Sequence, residues 1–146
     1  MKRSSTPVDQ FLASGPDPPR TDLVALDARI AEATAGTDRV LWEGAMWGGT
    51  EQRIVGYGSY RYVNASGAEV DWFVVGLAMQ KSHLSLYVNA VEDGAYLVKR
   101  YADRLGKVKV GSANVTFKRL SDIELDVLLE MVARARGLVA SGARLV

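Results

Sequence analysis

A chain of 146 residues that is 48% hydrophobic has enough apolar side chains to close one core. Its 18 Lys and Arg stand against 17 Asp and Glu, and the formal charge of +1 supplies no overall basic field to draw the chain onto nucleic acid or an anionic membrane. It holds no cysteine and one histidine, His83. Disulfides, thiolate nucleophiles, thiolate zinc sites, cysteine-held iron–sulfur clusters and multi-histidine metal sites are thereby excluded, and any metal must rest mainly on carboxylates.

Residues 1–7 are positively charged with no apolar run behind them, so no secretory leader is expected. Thr6 and Pro7 read as the cap and first turn of a short helix carrying Val8, Phe11 and Leu12 on one side. The proline-rich stretch 15–19 reads as an extended connector. Thr21 then caps a helix in which Leu23, Leu26, Ile30 and Ala33 recur at helical spacing, with Gly36 as its stop. Residues 40–42 suggest a short strand, and 44–50 an ordered loop.

From 53 to 63 the residues alternate as a strand, with Ile54, Gly56, Gly58, Tyr60 and Tyr62 on one face, where two glycines suggest close packing. Residues 64–67 form a hairpin turn, and 69–78 return as a strand apolar on both faces, hence central in a sheet. After a turn at 80–82, the strand 83–88 places Leu84, Leu86 and Val88 inward and His83, Ser85 and Tyr87 on the opposite face. The run 72–79 is the longest apolar one and about half of what a membrane-spanning helix needs, so no membrane segment and a cytoplasmic location are expected. The glycosylation acceptor patterns at Asn64 and Asn114 are then chance matches.

A helix after Asp93 with the stripe Leu97, Val98, Tyr101 and Leu105 should stop at Gly106, before a basic loop. Residues 113–118 suit a further strand. Ser121 to Glu124 spell a capping box before a long helix whose stripe is Ile123, Val127, Leu128, Met131 and Ala135, with Gly137 as terminator. The whole predicts an α+β fold in which helices pack on an antiparallel sheet, a three-strand meander plus at least one further strand. Residues 6–140 form one domain between a flexible tail, 1–5, and a frayed one, 141–146.

The segments Gly56-Tyr57-Gly58-Ser59-Tyr60-Arg61-Tyr62, Asp71-Trp72-Phe73, Leu84-Ser85-Leu86-Tyr87, Leu105-Gly106-Lys107 and Lys118-Arg119-Leu120-Ser121-Asp122 follow one another in a characteristic order. Together they resemble the bacterial YdhG-like family, a family without an assigned reaction, over residues 8–135. The resemblance implies a small cytosolic fold similar to the secretion-chaperone type. Because some members are described as frataxin-like iron chaperones, it also implies acidic surface as the working part. The family's Gly-Lys-x-Lys-Thr-Gly-Lys motif is altered here, with Val110 at the threonine place and Ser112 at the last lysine.

Among candidate sites, Lys99, Arg100, Arg104, Lys107, Lys109, Lys118 and Arg119 form one basic crowd, the first three at a helix end whose carbonyls already favour cations. Lys107 and Lys109 alternate with Val108 and Val110 and so project from one face, toward an anion such as a phosphate or carboxylate; the ordinary alternative is a solvated edge. Arg104, Lys107 and Lys109, joined by Tyr57, Lys81 and His83 from strands that should be neighbours, make the candidate anion site. Ser112 stands where a P-loop needs its lysine, and Arg61 where a dinucleotide fingerprint needs its third glycine, so neither motif is read here.

Asp122, Asp126 and Glu130 share one helix face and are the candidate metal ligands, with iron the cofactor to consider; the ordinary reading is acids near a helix start and a Glu130–Arg134 pair. His83 with Asp71 is the one acid–base pair in view, which is no catalytic set. The expected function is a non-enzymatic binding or accessory domain for a small anion or a protein partner. The alternatives are an iron-handling accessory protein and a homo-oligomeric module such as a homodimer.

Overall fold

The structure, a computed structural model, describes residues 2–14, 19–45, 51–80 and 83–140. Its order is β1 (Lys2–Arg3), α1 (Val8–Ala13), α2 (Pro19–Ala33), β2 (Arg39–Ala45), β3 (Glu51–Val63), β4 (Glu69–Met79), β5 (Leu84–Val88), β6 (Val91–Glu92), β7 (Ala95–Tyr96), α3 (Leu97–Tyr101), β8 (Lys109–Val110), β9 (Asn114–Phe117) and α4 (Leu125–Ala140). Seven strands form one antiparallel sheet in the order β1-β2-β3-β4-β5-β9-β8, and β6 and β7 make a separate small hairpin. The fold is α+β, as the alternation of apolar patterns predicts.

The β3–β4 hairpin turns at Asn64, whose side-chain oxygen accepts from the backbone of Ser66 and Ala68. β4 is buried from Phe73 to Ala78 because it has a layer on either side. On one side α2 contributes Leu23, Leu26 and Ile30, and α4 contributes Leu128, Met131, Val132 and Ala135. They meet Val55, Val75, Leu77, Leu86, Val88 and Val115 of the sheet. Each of these Leu, Ile, Val and Met side chains contributes roughly 1.5–3 kcal/mol by leaving water. On the other side Trp42, Ile54, Phe73 and Ala78 cluster with Trp72 and Tyr87. There Phe73 stacks on Trp72 at 4.6 Å and meets Trp42 edge-on at 6.0 Å.

The expectation of close packing at Gly56 and Gly58 divides into two causes. A Cβ at Gly56 would lie 2.5 Å from Trp42 Nε1 and 2.9 Å from Phe73 Cβ, so side chains occupy its place. Gly58 is required by its backbone, with φ at +78°. Val74, opposite it, joins the same core as Val75 while Phe73 joins the other, so the strict alternation of both strands breaks there.

Several boundaries differ from the sequence reading. α1 is capped at Pro7 rather than Thr6, and α2 begins at Pro19, ahead of Thr21. Lys2–Arg3, expected in a flexible tail, pairs with β2. The basic loop contains β8, and the run before α3 contains the β6–β7 hairpin, turned by Asp93-Gly94 with both φ values positive. The capping box does not form. Residues Leu120–Asp122 make a 3-10 turn, Ile123 is extended, and α4 starts after Glu124, whose carbonyl accepts from Leu128 N. The backbone of 122–124 is committed elsewhere, to Leu105 and Lys107 as described below. Gly137 does not end α4, because Leu138 and Val139 pack on the core and outweigh a glycine's deficit of about 1 kcal/mol. The connector 15–18, the loop 46–50, Lys81 and the tail 141–146 lie outside the described residues.

Candidate functional site

At the β8 margin of the sheet an open cleft of about 880 Å³ gathers Lys107, Lys109, Lys118, Arg119, His83 and Asp122. The sequence places these cations together for a structural reason. Lys109 pairs with Thr116 in the β8–β9 ladder, so the lysine-bearing loop returns beside the strand that runs out into Lys118 and Arg119. His83 arrives from the chain just before β5, whose Leu84 pairs with Phe117. Gln80, Asn114 and Thr116 add polar groups to the same wall. Ser85 Oγ donates to Gln80 Oε1 at 2.6 Å, and Tyr87, whose hydroxyl pKa is raised first by burial, lies 3.4 Å from Gln80 Nε2.

The loop is tethered at its root. Lys107 N donates to Asp122 O and Glu124 N donates to Leu105 O, each at 2.8 Å, around a bridge between Gly106 and Ile123. Several basic side chains elsewhere are matched with acids: Arg39 with Asp27, Arg53 with Glu43, Arg61 with Asp71, Arg100 with Glu92 and Arg134 with Glu92. Lys107, Lys109, Lys118 and Arg119 form no ion pair with any described residue. Four unmatched like charges around one hollow produce a local positive potential that a neutral net charge conceals.

The structure brings Lys107, Lys109 and His83 together, and removes two residues from that set. Arg104 faces α4, giving both Nη groups to Glu130 at 2.9 and 3.1 Å and lying over the Tyr101 ring at 5.5 Å. That bond holds the Glu130 carboxyl below its ordinary value and the Arg104 guanidinium above. Tyr57 points into the core instead, because β3 presents it to α2. Among the metal candidates Asp122 lines the cleft, Asp126 stands exposed on the first turn of α4, and Glu130 is held by Arg104 rather than by Arg134. No three acidic or histidine side chains converge among the described residues. Asp71 pairs with Arg61 at the end of β4 remote from His83, so that acid–base pair is not assembled.

Sequence reasoning missed a buried network. Tyr57 Oη donates to Asp27 Oδ1 at 2.6 Å, and Arg39 gives Nε to Oδ1 at 3.1 Å and Nη2 to Oδ2 at 2.6 Å. Asp9 accepts from the same Nη2 at 3.0 Å. Burial, reinforced by the Asp27 charge, raises the Tyr57 pKa well above a tyrosine's usual range, and the bond to Asp27 raises that of Arg39. The signal was available: Asp27 sits on the apolar stripe of α2 between Leu23, Leu26 and Ile30, where an acid needs a buried partner.

No helix of the described residues is long and apolar enough to cross a membrane. Comparison of the chain with family models, curated proteins and solved structures finds no match in any of the three.

Proposed function

We propose that this chain is a non-enzymatic cytoplasmic binding protein for a small, multiply charged anion such as a phosphate ester or polycarboxylate, held in the cleft between β8, β9 and His83. The observation that carries the reading is the convergence there of Lys107, Lys109, Lys118 and Arg119, none of them in an ion pair with a described residue, against one carboxylate, Asp122. An anion relieves their mutual repulsion and gains charge-assisted hydrogen bonds. Membership of the YdhG-like family belongs to the same proposal, supported by the order of its short motifs and by helices packed on an antiparallel sheet.

Calorimetric titration of the full chain with pyrophosphate and citrate tests it. Binding should weaken with rising salt, and by on the order of tenfold or more for each of Lys107→Ala and Lys109→Ala. The absence of heat and of amide shifts around these lysines, or tighter binding of a short oligonucleotide at the same site, would sink the reading. Anaerobic ferrous titration separates it from iron handling, for which Asp122 and Asp126 remain the local ligands.

A further inference from the structure

A second cavity, of about 390 Å³, lies on the helix-covered side of the sheet, where the C-terminal ends of α2 and α4 meet Gly58 and Ser59 of β3. It is separate from the basic cleft and within the roughly 300–1,000 Å³ range of small-molecule pockets. Its floor is aliphatic, made by Val74, Val75, Val132 and Val139.

The rim is polar, and the direction of its hydrogen bonds decides what it can receive. Thr34 Oγ1 donates to Ile30 O at 2.8 Å, Thr37 Oγ1 to Thr34 O at 2.6 Å, and Ser59 Oγ to Asp38 Oδ2 at 2.9 Å. Each hydroxyl has spent its one proton and presents only lone pairs to the cavity. Asp38 adds a carboxylate, bound on Oδ2 by Ser59 and Arg3. That part of the rim accepts hydrogen bonds and offers none.

Arg136 carries the opposite charge. Among the described residues its one side-chain bond is a long one, Nη1 to Ala33 O at 3.4 Å, and it forms no ion pair. An apolar floor, a rim of acceptors with a carboxylate, and one guanidinium are the complement of a molecule with an aliphatic body, an ammonium and a carboxylate. We propose that this cavity is a second ligand site, for a free α-amino acid with a branched apolar side chain. The side chain lies on the valines, the ammonium meets Asp38 and the hydroxyls, and the carboxylate meets Arg136.

The test is titration of the full chain with L-leucine, 4-methylpentanoate and isoamylamine, followed by amide shifts. Leucine should move the resonances of Gly58, Ser59, Val74 and Val139 and bind at least about tenfold more tightly than the acid or the amine alone, one charged contact being lost in each case. Asp38→Asn and Arg136→Gln, both at exposed positions, should each weaken leucine by a similar factor. The wild-type comparison stands whether or not those variants fold. No leucine binding, equal binding of the three compounds, shifts around Lys107 and Lys109 instead, or unchanged affinity in both variants would each overturn the assignment.

Discussion

The Tyr57 hydroxyl and the Asp27 carboxylate, from residues 30 positions apart in the chain, meet at 2.6 Å with 1% and 5% of their residues exposed. Together with Arg39 they join α2 to β2 and β3 through hydrogen bonds rather than apolar contact. Removing one member of a buried charged pair strands the other, which typically costs about 3–5 kcal/mol, and the partly exposed Arg39 places this pair near the lower bound. Asp27→Ala should therefore lower the unfolding free energy by about 3 kcal/mol in urea titration. Tyr57→Phe, which leaves the Arg39 bonds in place, should lower it by about 2 kcal/mol.

The same hydroxyl gives an alkaline limit. The folded pKa of Tyr57 is raised, chiefly by burial, so its contribution is complete below the unfolded value and is lost as pH rises through the interval between the two. Stability should fall progressively above about pH 10. Tyr57→Phe should flatten that fall in part, because Tyr60, also raised by burial, still contributes. Thermal midpoints between neutral and strongly alkaline pH measure it, and identical slopes in the two proteins would refute it.

The acid limb belongs to α4 and to what faces it, β6 and the turn that follows α3. Bonds from Arg134 and Arg104 depress the pKa values of Glu92 and Glu130 below the ordinary 4.5. Their contribution is present above that value and lost as pH falls through the folded values. Glu92→Gln and Glu130→Gln should each make stability less steep in pH below that point. Added salt should reduce the difference from wild type, since both arginines are exposed to solvent.

Two glycine-to-alanine changes should have opposite signs. At Gly56 the new methyl meets Trp42 and Phe73, and overpacking of this kind costs roughly 1–3 kcal/mol or more. Gly137 lies within α4 with nothing inside 4 Å of its Cβ position, so alanine should stabilise by up to about 1 kcal/mol. Melting temperatures of the two variants compare them directly.

Period was the legible part of this sequence. The stripes Leu23, Leu26, Ile30 and Leu128, Met131, Ala135 and the inward set Leu84, Leu86, Val88 are all buried, and with the Asn64 turn they were enough for the fold class. What failed were local signals overruled by distant backbone. The capping box was unmade because residues 122–124 bond to Leu105 and Lys107, and those partners arrive only through tertiary structure. The Asp93-Gly94 turn was legible and overlooked. In the cleft, Lys107 and Lys109 could be read from their alternation, and Lys118 and Arg119 were part of the same basic crowd; their closure on one hollow needed the β5–β9 and β8–β9 pairings. Arg104 left the set because Glu130 faces it from α4, a proximity no spacing within either segment reveals.

The tether at Gly106 and Ile123 fixes how fast a guest could be received. The lysine-bearing wall of the cleft is secured next to the start of α4, so capture of a charged solute there should be a matter of collision and long-range attraction. Its arrival rate should then respond to ionic strength far more than to solvent viscosity around a moving loop, and departure should carry the differences between one guest and another.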